Sequence, residues 1–474
     1  MKRLLTMLWL LAAAPLAAQT PAAAPPPGAP PQGEGAFHAE LRRQGTRIGD
    51  SCSAFTFKKI ADCAIELATD HPLHVAFGTL APQNGIGFGP ALAMHYTPNE
   101  NWRLNWSADV VGAISGAWRA GGYLKIVRTG VELPTVSTGP ATASHVGIHP
   151  YPVIDVYAQT ISLPKLTYFG LGPSTDRADK AYYGMGEHII GSSVIYPIAA
   201  SSIGGLNLSL LGEINYRGVD IRSSEADNLP SIEQVYTEAT APGLTSQPGF
   251  GQFGEGVRIK PSLFNGHLQL NYMTRWQQFV ASDSGYSFQR WTLDLNHDIP
   301  IRGTVTATPP ETSNPNDCPR GTADAGCLPV SRNRYGTLNL RMFMARSDVS
   351  DTASVPFYFQ PTLGGSDING NRVLPSYEDY RFRGPNALLF QESIERAIGS
   401  TPIGVWIASD QGRVSLEDGD AGAFRATFSA GLTLRAGGFP VVLLSFATGG
   451  PEGHHVALTI NTSLLGGSSR PSLF

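Results

Sequence analysis

Residues 363–389 read LGGSDINGNRVLPSYEDYRFRGPNALL, and residues 404–414 read GVWIASDQGRV. Gly364 and Gly365 mark a turn, because adjacent glycines tolerate backbone conformations that side chains forbid. A loop rich in Gly, Asn and Pro follows. Beyond it a strand is expected with Tyr380 and Phe382 on one side and Arg381 and Arg383 on the other, since side chains alternate along a strand. A second strand carries Asp410-Gln411-Gly412. Turn, long loop, Arg/aromatic strand and Asp-X-Gly strand follow one another in that order and describe a β structure.

The same alternation extends outward from this stretch. In WRAGGYLKIV, residues 118–127, Trp118, Ala120, Gly122, Leu124 and Ile126 fall on one side, with Arg119 and Lys125 on the other. HLQLNYMTRW (267–276), YSFQRWTLDLNHDI (286–299), TLNLRMFMARS (337–347) and HHVALTINTSLL (454–465) alternate likewise. Asn84-Gly85 reads as a tight hairpin turn. A soluble sandwich and a membrane barrel both alternate, with opposite faces turned outward, so periodicity alone leaves the two open. Length favours the barrel: the region after Pro72, at about ten residues per tilted strand plus turns, holds about sixteen strands. Tyr96, Trp102, Trp106, Trp118 and Tyr123 near strand ends fit an interfacial aromatic belt.

The stretch at 363–414 resembles the carboxy-terminal barrel of the bacterial surface antigen family, the BamA/TamA-type outer-membrane barrels. FGLGPS (169–174), GEINYRG (212–218) and FQRWTLDL (288–295) resemble further strands of that family. The resemblance covers residues 72–465 and implies a transmembrane antiparallel β-barrel in a bacterial outer membrane. It implies a role in inserting or translocating proteins or lipids there, worked by the seam between first and last strands, with outer-membrane lipids and other outer-membrane proteins as partners. In the family an arginine at the tip of the long loop lies inside the lumen near the Asp-X-Gly strand. Here Pro375-Ser376-Tyr377 stands where the tip falls, so Asp410 is left with Arg372, Arg381 or Arg383 as its partner. Asp410, Gly412, Arg372, Arg381 and Arg383 are therefore the candidate loop anchors, and Gly364 and Gly365 the loop's turn. A passive diffusion channel and an outer-membrane hydrolase are the alternatives.

The 474-residue chain carries a formal charge of −4, 15% charged residues and 53 glycines. It has no basic excess of the kind that marks nucleic-acid binding, and its glycine content favours turns and strands over long helices. Lys2-Arg3 before the apolar run 4–16, with Ala17-Ala18-Gln19 after it, reads as a signal peptide over 1–19. A Pro/Ala-rich linker over 20–35, a short periplasmic segment over 36–71 and a barrel over 72–474 are expected. The segment 36–71 is too short for the family's periplasmic POTRA domains. No stretch beyond the leader is long and apolar enough for a spanning helix, so any crossing is by strands.

The four cysteines of an exported chain read as the pairs Cys52–Cys63 and Cys318–Cys327. The helical spacing around the first pair conflicts with bonding unless the helix starts late, because eleven helical residues span about 16 Å. No nucleophile elbow, zinc-protease motif or phosphate loop is present. His454-His455 point to opposite faces of a strand and do not chelate together. Asp367, Asn369 and Asn371 resemble a calcium loop only in part, with its glycine early and its closing glutamate missing. No catalysis, cofactor or metal is expected.

Overall fold

The computed structural model describes residues 73–99, 101–128, 152–198, 206–224, 226–264, 267–302, 334–399, 401–417, 424–436, 439–450 and 452–460. The leader, linker and 36–71 segment, all four cysteines and residues 461–474 lie outside the described residues. The strands are β1 (Leu73–Thr79), β2 (Ile86–Asn99), β3 (Trp102–Ala113), β4 (Trp118–Arg128), β5 (Val153–Tyr168), β6 (Ala181–Pro197) and β7 (Leu208–Ser223). They continue as β8 (Phe250–Ile259), β9 (Ser262–Leu263), β10 (Leu268–Ala281), β11 (Phe288–Arg302), β12 (Arg334–Val349), β13 (Thr362–Leu363) and β14 (Phe382–Arg383). The last are β15 (Asn386–Ala397), β16 (Ile403–Ser415), β17 (Arg425–Ala436), β18 (Phe439–Thr448) and β19 (His454–Ile460).

Each long strand pairs antiparallel with its neighbour in sequence, from β1–β2 to β18–β19. β9 extends β8 along β10, and β13 pairs only with β14. Among the described residues this makes sixteen long strands, the expected number, in an all-β antiparallel meander.

The alternation resolves the choice the sequence left open. On β16 and β17, Ile407 is 53% and Leu432 54% exposed, whereas Asp410, Thr427, Ser429, Thr433 and Arg435 are buried. On β7, Leu210, Ile214 and Tyr216 are exposed while Ser209, Asn215 and Arg217 are buried. Apolar side chains face outward and polar ones inward, the inverse of a soluble sandwich and the arrangement that lipid requires. Four inward arginines are paired: Arg217 with Glu187 at 2.6 Å, Arg119 with Asp109 at 3.1 Å, Arg341 with Asp294 at 2.9 Å, and Arg435 with Glu395. Ile407→Arg is expected to destabilise the barrel by about 2–4 kcal/mol in a urea titration in lipid vesicles, because it places a cation in the apolar belt; a neutral result would count against a lipid-facing surface there.

The sheet is rolled. Tyr380 Oη donates to Pro82 O in the β1–β2 turn at 3.1 Å, and the next residue, Arg381, binds Glu452 in the β18–β19 turn at 2.7 Å. Strands lie about 4.8 Å apart, so the ends of a flat sixteen-stranded sheet would be roughly 70 Å from each other. No ladder joins β1 to β19 among the described residues.

Three local expectations are corrected. The Asn84-Gly85 hairpin is a six-residue connection between β1 and β2, with Gln83 as well as Gly85 at positive φ. Phe169–Ser174 is a turn just past β5, not a strand, with Gly170 and Gly172 at φ +93° and +92°. Tyr123 is no belt residue: it points inward against Tyr157 and Ile189 and donates to Gln159 at 2.8 Å, while Tyr96, Trp102 and Trp118 are exposed.

Candidate functional site: a loop folded into the barrel

The connection between β12 and β15, residues 350–385, turns into the barrel. A flexible polar loop would stay in water; this one carries Pro356-Phe357-Tyr358-Phe359, and burying those rings draws it inward. Phe359 packs on Phe250 at 4.7 Å between ring centroids, and on the stacked pair Phe279–Phe288. Phe357 meets Tyr168 and Tyr183 edge-on at 5.1 and 5.2 Å. The β7–β8 connection joins this cluster through Ile232, Ala241 and Leu244.

Two arginines hold the carbonyls of the aromatic turn. Arg290 on β11 donates to Phe359 O at 2.7 Å, and Arg383 to Phe357 O at 2.6 Å. Charge-assisted bonds of this kind satisfy loop carbonyls that no ladder reaches.

The Gly364-Gly365 turn is sterically required. Their φ values are +117° and +55°; a Cβ on Gly364 would lie 2.6 Å from Glu378 O, and one on Gly365 2.7 Å from Asp379 N. This close approach lets the returning chain pack against the turn. The expected YRFR strand is shorter than its alternation implied. Only Phe382 and Arg383 are extended in β14, Tyr380 has φ +62°, and all four side chains are buried. Inside the barrel both faces of this segment meet protein, so alternation no longer sorts polar from apolar.

Of the three arginines offered to Asp410, the structure brings Arg372 to it. Arg372 Nη2 lies 3.4 Å from Asp410 Oδ2, with its guanidinium 4.0 Å from the centre of the Trp406 ring. Gln391 Nε2 donates to Asp410 Oδ1 and to Arg372 O, both at 2.9 Å. Asp410 belongs to an inward polar row, Asn271-Asn296-Arg341-Gln391-Asp410-Thr427, that crosses six strands in register. Gly412, one inward position along β16, leaves room for the loop: a Cβ there would be 2.9 Å from Leu363 Cδ1.

Arg381 and Arg383 point elsewhere. Arg381 grips Glu452 through Nε (2.8 Å) and Nη2 (2.7 Å) and donates to Thr175 Oγ1 (2.6 Å) and O (2.7 Å). Arg383 sits between carbonyl, Tyr183 hydroxyl and aromatic faces. Glu452, Thr175, Gln391 and Arg290 are contacts the sequence did not reveal, since none lies in a local motif. The aromatic triplet did carry a signal, three rings between two prolines in a connection.

Asp367 is occupied within the loop: it accepts from Asn369 N and Asn371 N at 3.0 and 2.8 Å and from Asn371 Nδ2 at 2.8 Å. It forms an Asx turn. Among the described residues no group of carboxylates, histidines or cysteines gathers as metal ligands.

Glu378 ties the loop to the β5–β6 connection, bonding Lys180 and Arg177 at 2.6 Å each. Burial alone would raise its carboxyl, but the bonds from Lys180 and then Arg177 outweigh it and hold the group below its ordinary value. A depressed carboxyl contributes stability that is complete above its unfolded value and lost as pH falls through the folded one. The temperature at which the folded barrel converts to the slow-migrating unfolded band should therefore fall below about pH 4, and fall less steeply in Glu378→Gln. Equal pH profiles would show that Glu378 contributes nothing to loop docking.

No family profile and no curated protein sequence matches the chain. Among solved structures, CdiB from Acinetobacter baumannii superposes at 9% identity and a TM-score of 0.46, over 81% of this chain and 58% of that one. BamA from Haemophilus ducreyi lacking POTRA domains 1–3 gives 10% and 0.46, over 82% and 69%. CdiB from Escherichia coli gives 13% and 0.46, over 83% and 62%. The chain thus spans less than two thirds of either CdiB structure. At this identity and overlap, the functional reading rests on the geometry of this chain.

Proposed function

We propose that the chain is a bacterial outer-membrane β-barrel of the BamA/TamA surface antigen type, non-enzymatic, acting in the insertion or translocation of proteins or lipids at that membrane. The observation that carries this reading is the 350–385 loop, which enters the lumen and is gripped from both ends of the sheet. A loop packed across the interior and anchored on the wall obstructs free passage, which favours this reading over a wide diffusion channel. This reading places the work at the seam between the first and last strands, where an edge offers free backbone groups to an incoming strand. Outer-membrane lipids and other outer-membrane proteins are the partners this reading names.

Vesicles carrying the purified barrel should speed the assembly of a urea-unfolded small β-barrel substrate, or the transfer of a fluorescent phospholipid between leaflets, relative to vesicles without it. If neither rate changes, the insertion reading fails.

A further inference from the structure

The inner wall away from the loop holds a feature that loop docking does not use. On β8 the inward column runs Phe250, Gln252, Gly254, Gly256, Arg258, and its continuation past the strand end is Lys260. Inwardness follows from burial: Phe250 and Gln252 are buried, while Phe253 between them and the glycines is exposed. The register on β10 runs without a shift from Ile259↔Tyr272 to Ser262↔Gln269, so Lys260 keeps the inward parity. Arg258 and Lys260 therefore sit on one face, roughly 7 Å apart along the strand.

The other inward arginines described above are met by a carboxylate or by loop carbonyls; these two cations are not. Among the described residues neither side chain makes an ion pair or hydrogen bond, and Arg258 Nε is buried without a partner. The nearby carboxylates are committed. Glu213 accepts from Gln252 and Gln277 at 2.5 and 2.6 Å and lies 3.5 Å from a third cation, Arg275. Asp294 is held by Arg341 through both oxygens, at 2.9 and 3.0 Å. Asp298, two strands away, has an interaction of its own. Ser209 stands directly opposite Arg258 on β7.

The buried guanidinium edge of Arg258, without a partner among the described residues, carries a cost that a bound anion would relieve, and the exposed Lys260 ammonium beside it adds a second positive charge to attract one. We propose that Arg258 and Lys260, flanked by Ser209 and Arg275, form a site on the lumen wall for a phosphate-bearing ligand, at the end of the barrel opposite the inward loop. The guanidinium fork matches a phosphate edge, and the ammonium, two residues on, meets a second charge. The inference rests on barrel topology and not on the insertion role.

The test is calorimetric titration of pyrophosphate, and separately of dihexanoyl phosphatidic acid, into the full chain in phosphatidylcholine nanodiscs at 50 mM salt. Wild type should bind, more weakly as salt rises. R258Q/K260Q should bind at least tenfold more weakly, K260Q alone about threefold, and R222Q on the outer face as wild type. Tighter binding of phosphatidic acid than of pyrophosphate would assign a phospholipid headgroup; the reverse would assign a free phosphate. No binding by wild type, or equal affinity in wild type and K260Q, overturns the proposal. Because Lys260 is exposed, K260Q keeps the test valid even if the double variant fails to fold.

Discussion

Replacing Asp410 by alanine is expected to turn a low, flickering conductance in planar bilayers into a large open pore. Asp410 is 1% exposed and is the carboxylate that faces Arg372. Removing it leaves a guanidinium in the interior against Trp406 with its counter-charge gone, and frees Gln391, which bridges the carboxylate and the loop carbonyl of Arg372. Breaking one side of a buried ion pair costs about 3–5 kcal/mol, and every 1.4 kcal/mol is about tenfold in an equilibrium. The ratio of docked to released loop should therefore shift by roughly two to four orders of magnitude. Asp410→Asn keeps an acceptor for Gln391 and should open the pore less often. A large steady conductance already in wild type, unchanged by the substitution, would favour the diffusion channel. A closed pore in both proteins would mean that the aromatic cluster alone holds the loop.

Arg381→Ala is the second large effect, felt in stability more than in conductance. Arg381 spans three parts of the structure: the loop that carries it, Thr175 in the β5–β6 connection and Glu452 in the β18–β19 turn. Its side chain is 2% exposed, and its four short bonds leave it no freedom to find water as a substitute. Loss of the guanidinium strands Glu452 and releases the turn that closes the last hairpin, at a cost of about 3–5 kcal/mol. Urea titrations of Arg381→Ala, Glu452→Gln and the double variant separate the pair from its surroundings. A coupling of about 1–3 kcal/mol is expected. A coupling below about 0.5 kcal/mol would reduce the pair to an ordinary rim contact.

These two sites show what kind of information each level holds. Strand identity was legible because period-two alternation is a local property, and strands such as β10, β11 and β12 occur where it is read. The strand number followed from length. The turn at Gly364-Gly365 was legible because a backbone at positive φ selects glycine within its own few residues. The choice between sandwich and barrel was not: the two differ only in which face meets the solvent, and exposure of Ile407 beside burial of Asp410 is a property of the rolled sheet.

The loop marks the boundary most clearly. Sequence supplied Asp410 and three arginines as chemically equivalent partners, because charge and hydrogen-bonding capacity are intrinsic to the side chains. Only tertiary structure assigned Arg372 to Asp410, sent Arg381 to Glu452, 71 residues away in sequence, and placed Arg383 among carbonyls and rings. The YRFR segment was misread for the same reason. Alternation reports a strand with one polar and one apolar side, and a segment enclosed by protein on every side has neither. By itself the sequence determined an all-β antiparallel chain with a charged, glycine-turned loop near its end. The tertiary structure decided that the polar face is the interior and which charges meet there, because partners in a rolled sheet are chosen by register and curvature over distances that no local pattern encodes.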